Sequence, residues 1–283
     1  MDINNSQRAE VLITALPYIK EYYNKTVVIK YGGNAMINEE LKKAVMGDIV
    51  LLSLIGVRVV LVHGGGPEIT ETLNKMNMES RFINGLRVTD ADTAQVVQMV
   101  LAGKINKSLV NLLENTGGKA IGLSGIDGHM LQARPISDEL GYAGEITTVN
   151  IAPIQDVLDK GYIPVVSTIG CDNEGNVYNI NADTAASKIA SALKATSLIS
   201  MTDISGILKD KDDPSSLIPV IKASEAAKLF DDGIISGGMI PKVQCCVDAV
   251  NSGVEKVFVI DGRVPHSIIV EMLTDEGMGT MFV

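Results

Sequence analysis

Short apolar segments alternate with stretches of helical periodicity along most of this chain, and two of these segments run directly into glycines. The segment VVIK leads into YGGNAM, and the segment VLVH leads into GGGPEI, each followed by a helical pattern. Parallel strands need long crossover connections, which are usually helices, so this alternation predicts a largely parallel sheet with helices on both faces. The sequence therefore predicts a three-layer α/β fold.

Local signals place the main helices. Asn38 caps one helix, a long helical stretch begins at Asp90, and Asn181 caps an alanine-rich helix. Pro241 predicts the start of a further helix, because proline is favoured in the first turn. The short-period pattern of residues 129–150 indicates hairpins, and KVFVID is the last clear core strand.

Residues 1–25 stand apart from this alternation. Apolar side chains recur at roughly helical spacing from Val11 to Ile19, and Pro17 interrupts the pattern. We expect a kinked helix or two short helices. Their apolar stripe must be buried against the body of the protein or against another subunit.

The composition argues against several classes of protein. A length of 283 residues fits one large α/β domain or two lobes, and a net charge of −10 argues against broad nucleic-acid binding. Three cysteines without C-x-x-C spacing disfavour a disulfide framework or a zinc site and favour the cytoplasm. The polar N-terminus lacks an apolar signal core, and the most apolar region, 49–62, is too short and interrupted to span a membrane.

Familiar nucleotide motifs are missing. The sequence contains no G-x-x-x-x-G-K-[ST] loop and no H-E-x-x-H. Gly64 and Gly66 have the spacing of a dinucleotide-binding turn, but Ile69 stands where the third glycine belongs. A dinucleotide-dependent oxidoreductase is therefore a distant alternative.

The two glycine clusters are expected at one edge of the sheet, where the carboxyl ends of the strands lie and ligands bind. Gly32 and Gly33 follow the first strand, and Gly64, Gly65 and Gly66 follow the second. Glycine lets backbone N–H groups approach an anion closely. Two tight strand-to-helix turns are the alternative, but two clusters on one edge favour an anionic ligand.

Two lysines are placed to contact such an anion. Lys30 ends the first strand, although a lysine that merely extends to solvent has the same position. Lys242 lies just inside a predicted helix start, after Gly237 and Gly238, where a cation opposes the helix dipole. A bound anion at this helix start would turn that unfavourable interaction into a favourable one.

Asp183 follows Asn179 and Asn181, so two amides and a carboxylate lie close together in the sequence. Helix capping alone is the alternative explanation. Arg87 lies in a loop before a helix, where a guanidinium can bind a carboxylate through two hydrogen bonds, and a surface salt bridge is the alternative.

Six segments together carry a resemblance: VVIKYGGNAM, VLVHGGGPEI, NGLRVTD, VYNINADTAASKIASAL, LISMTDISGIL and SGGMIPKV occur in the order seen in the amino acid kinase family. NGLRVTD and NINADTAA are most similar to members that phosphorylate N-acetyl-L-glutamate. The resemblance implies the amino acid kinase fold with an N-terminal helical extension (1–25), an acetylglutamate-binding lobe (26–195) and an ATP-binding lobe (196–283).

The resemblance implies transfer of a phosphoryl group from ATP to the γ-carboxylate of N-acetyl-L-glutamate, in the second step of arginine biosynthesis, with Mg²⁺ held mostly by ATP phosphates. A carboxylate is already ionised at pH 7, so this chemistry needs alignment and charge neutralisation but no general base. The implied residues are Lys30, Lys242 and Asp183 for catalysis; Gly65, Gly66, Arg87, Asn179 and Asn181 for the substrate; Gly32, Gly33, Gly65, Gly237 and Gly238 for phosphate; and Asp203, Gly206 and Lys209, with the loop 209–216, for the nucleotide.

Two further features resemble the arginine-inhibited branch of the family: the helical segment of residues 1–25 and the segment VPHSIIVEMLTDEGMGT near the C-terminus. In that branch, an N-terminal helix interlaces dimers into a hexamer, and an effector site for L-arginine lies beside it. The resemblance implies an effector site here that contains Tyr18, His266, Glu271 and Gly277. An ordinary closing helix and strand are the alternative.

Two alternatives to this activity remain at the level of the sequence. One is a kinase of N-acetyl-aminoadipate, whose side chain is one methylene longer. The other is a catalytically silent, amino-acid-binding regulator with the same fold, although Lys30, Asp183 and Lys242 speak against it.

Overall fold

The computed structural model describes residues 4–210 and 212–283, and its strands form one large sheet and two smaller ones. In chain order they are β1 (Thr26–Tyr31), β2 (Arg58–His63), β3 (Phe82–Ile83), β4 (Leu86–Arg87), β5 (Ala120–Ser124), β6 (Leu131–Pro135), β7 (Ala143–Val149), β8 (Ile163–Ser167), β9 (Ile169–Cys171), β10 (Val177–Ile180), β11 (Ser197–Thr202), β12 (Val220–Ile221), β13 (Lys256–Asp261) and β14 (Thr280–Phe282).

Helices connect most of these strands. In chain order the α-helices are α1 (Asn5–Thr14), α2 (Leu16–Tyr22), α3 (Glu39–Leu54), α4 (Gly66–Lys75), α5 (Ala91–Gln98), α6 (Asn106–Asn115), α7 (Ala152–Asp159), α8 (Ala182–Leu193), α9 (Ala226–Asp231), α10 (Met239–Asn251) and α11 (Ser267–Leu273). A π-helical stretch, Met99–Ile105, joins α5 to α6.

The large sheet has the strand order β12-β14-β13-β11-β1-β2-β8-β5, and every neighbouring pair is parallel except β13 with β14. Alternate residues of β1 enter opposite apolar layers: Val27 and Ile29 pack with one set of helices, and Val28 packs with the other. The predicted three-layer α/β fold with a largely parallel sheet is therefore confirmed. The predicted lobe boundary at residue 195 falls between α8 and β11, and both sides contribute strands to this one sheet.

The two smaller sheets are separate from the large one. β6 and β7 form the predicted hairpin region and pair with β9 and β10 in a closed four-stranded sheet, from which the chain enters α8 at Asn181. β3 and β4 form a short antiparallel hairpin that carries Arg87.

The N-terminal segment forms two short helices, as predicted, with the break at Ala15 just before Pro17. Residues 1–3 of the predicted extension lie outside the described residues. α1 buries none of its side chains, and Leu12 is 73% exposed. α2 is anchored on the body by the buried Tyr22 and by an ion pair of 2.9 Å between Glu21 Oε1 and Lys256 Nζ.

Three sequence predictions need correction. α10 begins at Met239, so Pro241 lies in its first turn and does not start it. The strand of KVFVID is not the last core strand, because β14 follows it and buries Phe282 completely. β14 has three residues, too few for a clear alternating pattern. The long helical stretch from Asp90 is also interrupted by the π-helical stretch, which the sequence did not predict.

The π-helical stretch packs tightly against the second glycine cluster. A Cβ atom on Gly65 would lie 2.3 Å from Ile105 Cδ1 and 2.6 Å from Leu101 Cδ2, whereas a Cβ on Gly66 meets nothing within 4 Å. Gly65 has φ 172°, an ordinary extended conformation, so close approach and not backbone strain requires glycine here.

The substitution Gly65→Ala should therefore lower the free energy of unfolding by about 1–3 kcal/mol, the usual effect of overpacking. Gly66→Ala is the matched control, one residue away in open space, and should change it by less than about 0.5 kcal/mol. Urea unfolding measures both. Equal stability of the two variants would contradict this packing.

Candidate active site

A cavity of about 290 Å³ lies at the carboxyl ends of β1 and β2, where the sequence predicted a ligand. Most of the predicted site residues line it. They are Lys30, Gly32, Gly33, Gly65, Gly66, Arg87, Asn179, Asn181, Asp183 and Lys242. Residues more than 200 positions apart in the sequence therefore meet in one cleft.

The carboxylate of Asp183 joins two lysines at the base of this cleft. Lys30 Nζ lies 2.9 Å from Asp183 Oδ1, and Lys242 Nζ lies 3.1 Å from Oδ2. Each element contributes one group: β1 carries Lys30, the first turn of α8 carries Asp183, and the first turns of α10 carry Lys242. Two ammonium groups and one carboxylate leave a net positive charge, which suits an anionic ligand.

Burial would raise the pKa of the Asp183 carboxyl, but the charges of Lys30 and Lys242 outweigh it and lower that pKa from 3.8 to about 2. Lys30 Nζ also donates to the carbonyl oxygen of Met201 at 2.5 Å. Both contacts orient the ammonium group of Lys30 although this side chain is almost completely buried. Asp183 is therefore ionised at neutral pH.

A buried histidine fixes the second glycine cluster, and sequence reasoning gave it no role. His63 Nδ1 donates to the carbonyl oxygen of Gly64 at 2.9 Å, and Asn106 Nδ2 donates to His63 Nε2 at 3.2 Å. This pattern requires a neutral ring. Burial lowers the pKa of His63 to about 4, so the ring stays neutral in the physiological range.

Arg87 is buried at the wall of the cavity. Its Nη2 donates to the carbonyl oxygen of Gly66 at 3.0 Å and to Thr70 Oγ1 at 2.8 Å, and its guanidinium lies 4.6 Å from the ring centre of Phe82. None of the ion pairs within residues 4–210 and 212–283 includes Arg87. A buried cation without a carboxylate partner in the described chain is suited to bind an anionic ligand, and burial lowers its pKa.

The two asparagines have different environments. Asn181 Oδ1 accepts hydrogen bonds from the backbone N–H groups of Asp183 at 3.0 Å and Thr184 at 3.1 Å, which confirms the predicted helix cap. Asn179 Nδ2 donates to Thr89 Oγ1 at 3.3 Å, and Asn179 lines the cavity. Capping by Asn181 therefore places Asp183 in the first turn of α8.

The remaining residues predicted to contact phosphate or nucleotide do not line this cavity: Gly237, Gly238, Asp203, Gly206 and Lys209. Gly237 and Gly238 directly precede α10, and Lys209 lies in an exposed loop. Asp203 approaches the first glycine cluster, because a Cβ on Gly33 would lie 2.7 Å from its Oδ1. Gly206 has φ 136°, a conformation that favours glycine. Lys211, within the predicted loop 209–216, lies outside the described residues.

The residues predicted to bind arginine lie around α11. The hydroxyl of Tyr18 donates to Asp275, and Glu271 Oε2 accepts from the backbone N–H of Met278 at 2.7 Å. Gly277 lies beside Glu271, since its Cβ would be 3.7 Å from Oε1. Burial raises the pKa of Glu271, and the backbone hydrogen bonds oppose this shift.

His266 precedes α11, and its partner is a residue that sequence reasoning missed. His266 Nδ1 lies 2.6 Å from Oδ1 of the buried Asp48 on α3. Burial raises the pKa of Asp48, and His266 opposes this shift. Asp48 occupies an otherwise apolar face of α3, so a charged residue in an apolar pattern is the signal that could have revealed it.

Comparison with known proteins defines the class. The model of the amino acid kinase family matches residues 25–261. The chain is 58% identical over 283 residues to the acetylglutamate kinase of Brachyspira hyodysenteriae, with 99% of this chain and 98% of that protein covered. It is 54% identical over 282 residues to the acetylglutamate kinase of Clostridium beijerinckii, with 99% of both covered. The chain therefore belongs to the amino acid kinase family. It is an enzyme, a kinase that groups with the acetylglutamate kinases.

Solved structures agree with this assignment of fold. N-acetylglutamate synthase from Neisseria gonorrhoeae, complexed with coenzyme A and N-acetyl-glutamate, matches with a TM-score of 0.85 at 26% identity, over 97% of this chain and 63% of that chain. Its complex with coenzyme A and L-arginine matches with a TM-score of 0.81 at 25% identity, over 97% and 65%. This chain thus spans slightly less than two thirds of the synthase.

Candidate membrane-spanning helices and clusters of metal-binding side chains are both absent from the described residues. None of the helices in the described part is long and apolar enough to cross a membrane. Within residues 4–210 and 212–283, no group of three or more His, Cys, Asp or Glu side chains is arranged to hold a metal ion.

Because the lysines lower the pKa of Asp183, its ionised form stabilises the fold above about pH 4, and this contribution is lost as the pH falls towards 2. Between about pH 5 and pH 3, the wild type should lose about 1 kcal/mol more unfolding free energy than Asp183→Asn. Urea unfolding at a series of pH values measures the difference. Asp159→Asn, which removes an exposed ion-pair partner of Arg58, is the control and should parallel the wild type. Parallel curves for Asp183→Asn would contradict the depressed pKa.

Proposed function

We propose that this protein transfers the γ-phosphoryl group of ATP to the γ-carboxylate of N-acetyl-L-glutamate, which gives N-acetyl-L-glutamyl 5-phosphate and ADP. This is the second step of arginine biosynthesis. The observation that carries the proposal is the meeting of Lys30, Asp183, Lys242 and the buried Arg87 around one cavity. The relatives named acetylglutamate kinase support the choice of substrate.

The acceptor fits the wall formed by the second glycine cluster and Arg87. We assign the α-carboxylate of acetylglutamate to the guanidinium of Arg87, which is already held in place by Gly66 and Thr70. Gly65, Gly66, Asn179 and Asn181 would hold the rest of the molecule through backbone and amide groups. A buried guanidinium already held by hydrogen bonds discriminates in favour of a dicarboxylate, because a neutral group would leave that charge buried and unpaired.

The phosphoryl group would pass between the two lysines. A γ-carboxylate oxygen of the acceptor forms a bond to the γ-phosphorus as the bond to the β–γ bridging oxygen breaks. Charge spreads over the equatorial oxygens in this transition state, and Lys30 and Lys242 neutralise it from two sides. Backbone N–H groups of Gly32, Gly33 and Gly65 add donors, and Asp183 orients both ammonium groups.

The nucleotide would bind to the C-terminal lobe, residues 196–283. The acceptor would bind to the N-terminal lobe, residues 26–195. Gly237 and Gly238 precede the helix that carries Lys242, so their N–H groups suit the phosphates of ATP. We assign Asp203, Gly206 and Lys209 to the neighbourhood of the nucleotide. Mg²⁺ would be held mostly by the ATP phosphates, which are its usual ligands in kinases.

Two alternatives are distinguished by one assay. A kinase of N-acetyl-aminoadipate would prefer the longer acceptor, and a silent regulator would turn over neither. We expect acyl-phosphate formation, trapped with hydroxylamine, to be faster with N-acetylglutamate than with N-acetyl-aminoadipate. A reversed preference, or no ATP turnover with either, would overturn the proposal.

The substitution Lys242→Ala should reduce kcat by about 10²–10³, because it removes one preorganised positive group from the transition state. Lys222→Ala is the control, since Lys222 is exposed, pairs with the exposed Glu225 and does not line the cavity, and this substitution should leave kcat unchanged. Near-full activity of Lys242→Ala would exclude this lysine from the transfer step.

We further propose feedback inhibition by L-arginine and a hexamer of three dimers in the cytoplasm. Support for an effector site comes from the position of Tyr18, Glu271 and Gly277 around one loop, and from the synthase solved with L-arginine. Support for the assembly comes from α1, whose apolar side chains are exposed. Free cysteines fit a reducing compartment.

Added L-arginine should raise the apparent KM for N-acetylglutamate, because binding beside α11 and α2 would favour a state with lower substrate affinity. The measurement is initial rate against acetylglutamate concentration at several arginine concentrations. L-lysine is the control ligand, since it lacks the planar guanidinium. Unchanged activity up to millimolar arginine would contradict the effector site.

A further inference from the structure

Ser200 is the cross-strand neighbour of Lys30. β11 runs parallel to β1, and the register pairs these two residues directly. Paired residues of parallel strands project to the same face of the sheet. α8 packs over this face, so both side chains point towards its first turn, where Asp183 lies.

The hydroxyl of Ser200 is a third donor to the Asp183 carboxylate. Ser200 Oγ lies 3.3 Å from Asp183 Oδ1, the oxygen that also accepts from Lys30, while Oδ2 accepts from Lys242. Ser200 is buried, and its chain neighbours Ile199 and Met201 are apolar. Buried polar groups are usually hydrogen-bonded, and the Asp183 carboxylate is the side-chain partner of Ser200.

The three donors differ in how firmly they are held. Lys30 and Lys242 have long side chains, and during phosphoryl transfer their ammonium groups must also contact the phosphoryl oxygens. Ser200 has one rotatable side-chain bond and stands on a central strand of the sheet. It can therefore hold Asp183 Oδ1 in place while the lysine contacts change.

We propose that Ser200 is a positioning residue for the phosphoryl-transfer step: it fixes the rotation of the Asp183 carboxylate so that one oxygen faces each lysine. The proposal rests on the proposed function, because it requires Asp183 to orient the two lysines during transfer. Ser200 itself does not line the cavity, so it acts through Asp183 and not on the substrate.

Three variants separate positioning from packing. Ser200→Ala should lower kcat about tenfold, the effect of losing one hydrogen bond to a charged group, with KM for both substrates changed less than about twofold. Ser200→Thr keeps the hydroxyl and should restore most of kcat. Ser197→Ala is the matched control, because it removes a fully buried hydroxyl from the opposite face of the same strand and should leave kcat unchanged.

A double-mutant cycle gives the decisive comparison. If Ser200 acts through Asp183, adding Ser200→Ala to Asp183→Asn should reduce kcat by less than about twofold. An unchanged kcat in Ser200→Ala, an equal loss in Ser197→Ala, or a full tenfold further loss in the double variant would each overturn the inference. These comparisons require that the wild type forms the acyl phosphate. A wild type that forms no acyl phosphate would refute the proposed function itself.

Discussion

The ion-pair cluster at Asp183 is the interaction on which the rest of the site depends. One buried carboxylate holds two ammonium groups that come from β1 and α10, so it adds an ionic link between three elements that also pack in one apolar layer. Such a carboxylate is expensive to bury and is stable only with both partners. The cluster therefore places positive charge in the cleft, at the position where a polyanion has to be neutralised.

The parallel sheet supplies the geometry for this cluster. Adjacent parallel strands end at the same edge, so the register of β1 with β2 and β11 brings Lys30, the second glycine cluster and Ser200 side by side. The neutral His63 and the cap formed by Asn181 then fix the loops that leave these strands. These bonds between side chains and the backbone hold the loops in place around the ion-pair cluster.

Sequence reasoning recovered the fold and most of the cleft because the signals were local. The glycine clusters, Lys30 and the cap at Asn181 lie next to strand ends or helix starts. The strand order of the parallel sheet then brings them together at one cavity. Ser200, His63 and Asp48 escaped because each acts through a partner distant in sequence, Asp183, Asn106 and His266 respectively. A serine within a strand, or a histidine at a strand end, is ambiguous until its partner is known. β14 was not predicted from the sequence because a strand of three residues is too short to show an alternating pattern.

The π-helical stretch behind Gly65 has a consequence for how the long helix can vary. A π turn accommodates an additional residue relative to an α turn, so the wider turns of Met99–Ile105 can absorb an extra residue while α5 and α6 both keep their buried faces towards the core. Removal of one residue there can be taken up by a return to α-helical turns, which leaves Leu109 and Leu113 of α6 in the core. Leu101 and Ile105 lie within the π-helical stretch itself, so their contact with Gly65 is what such a deletion would change. The number of residues in this stretch is consequently set by contact with Gly65 at the cavity.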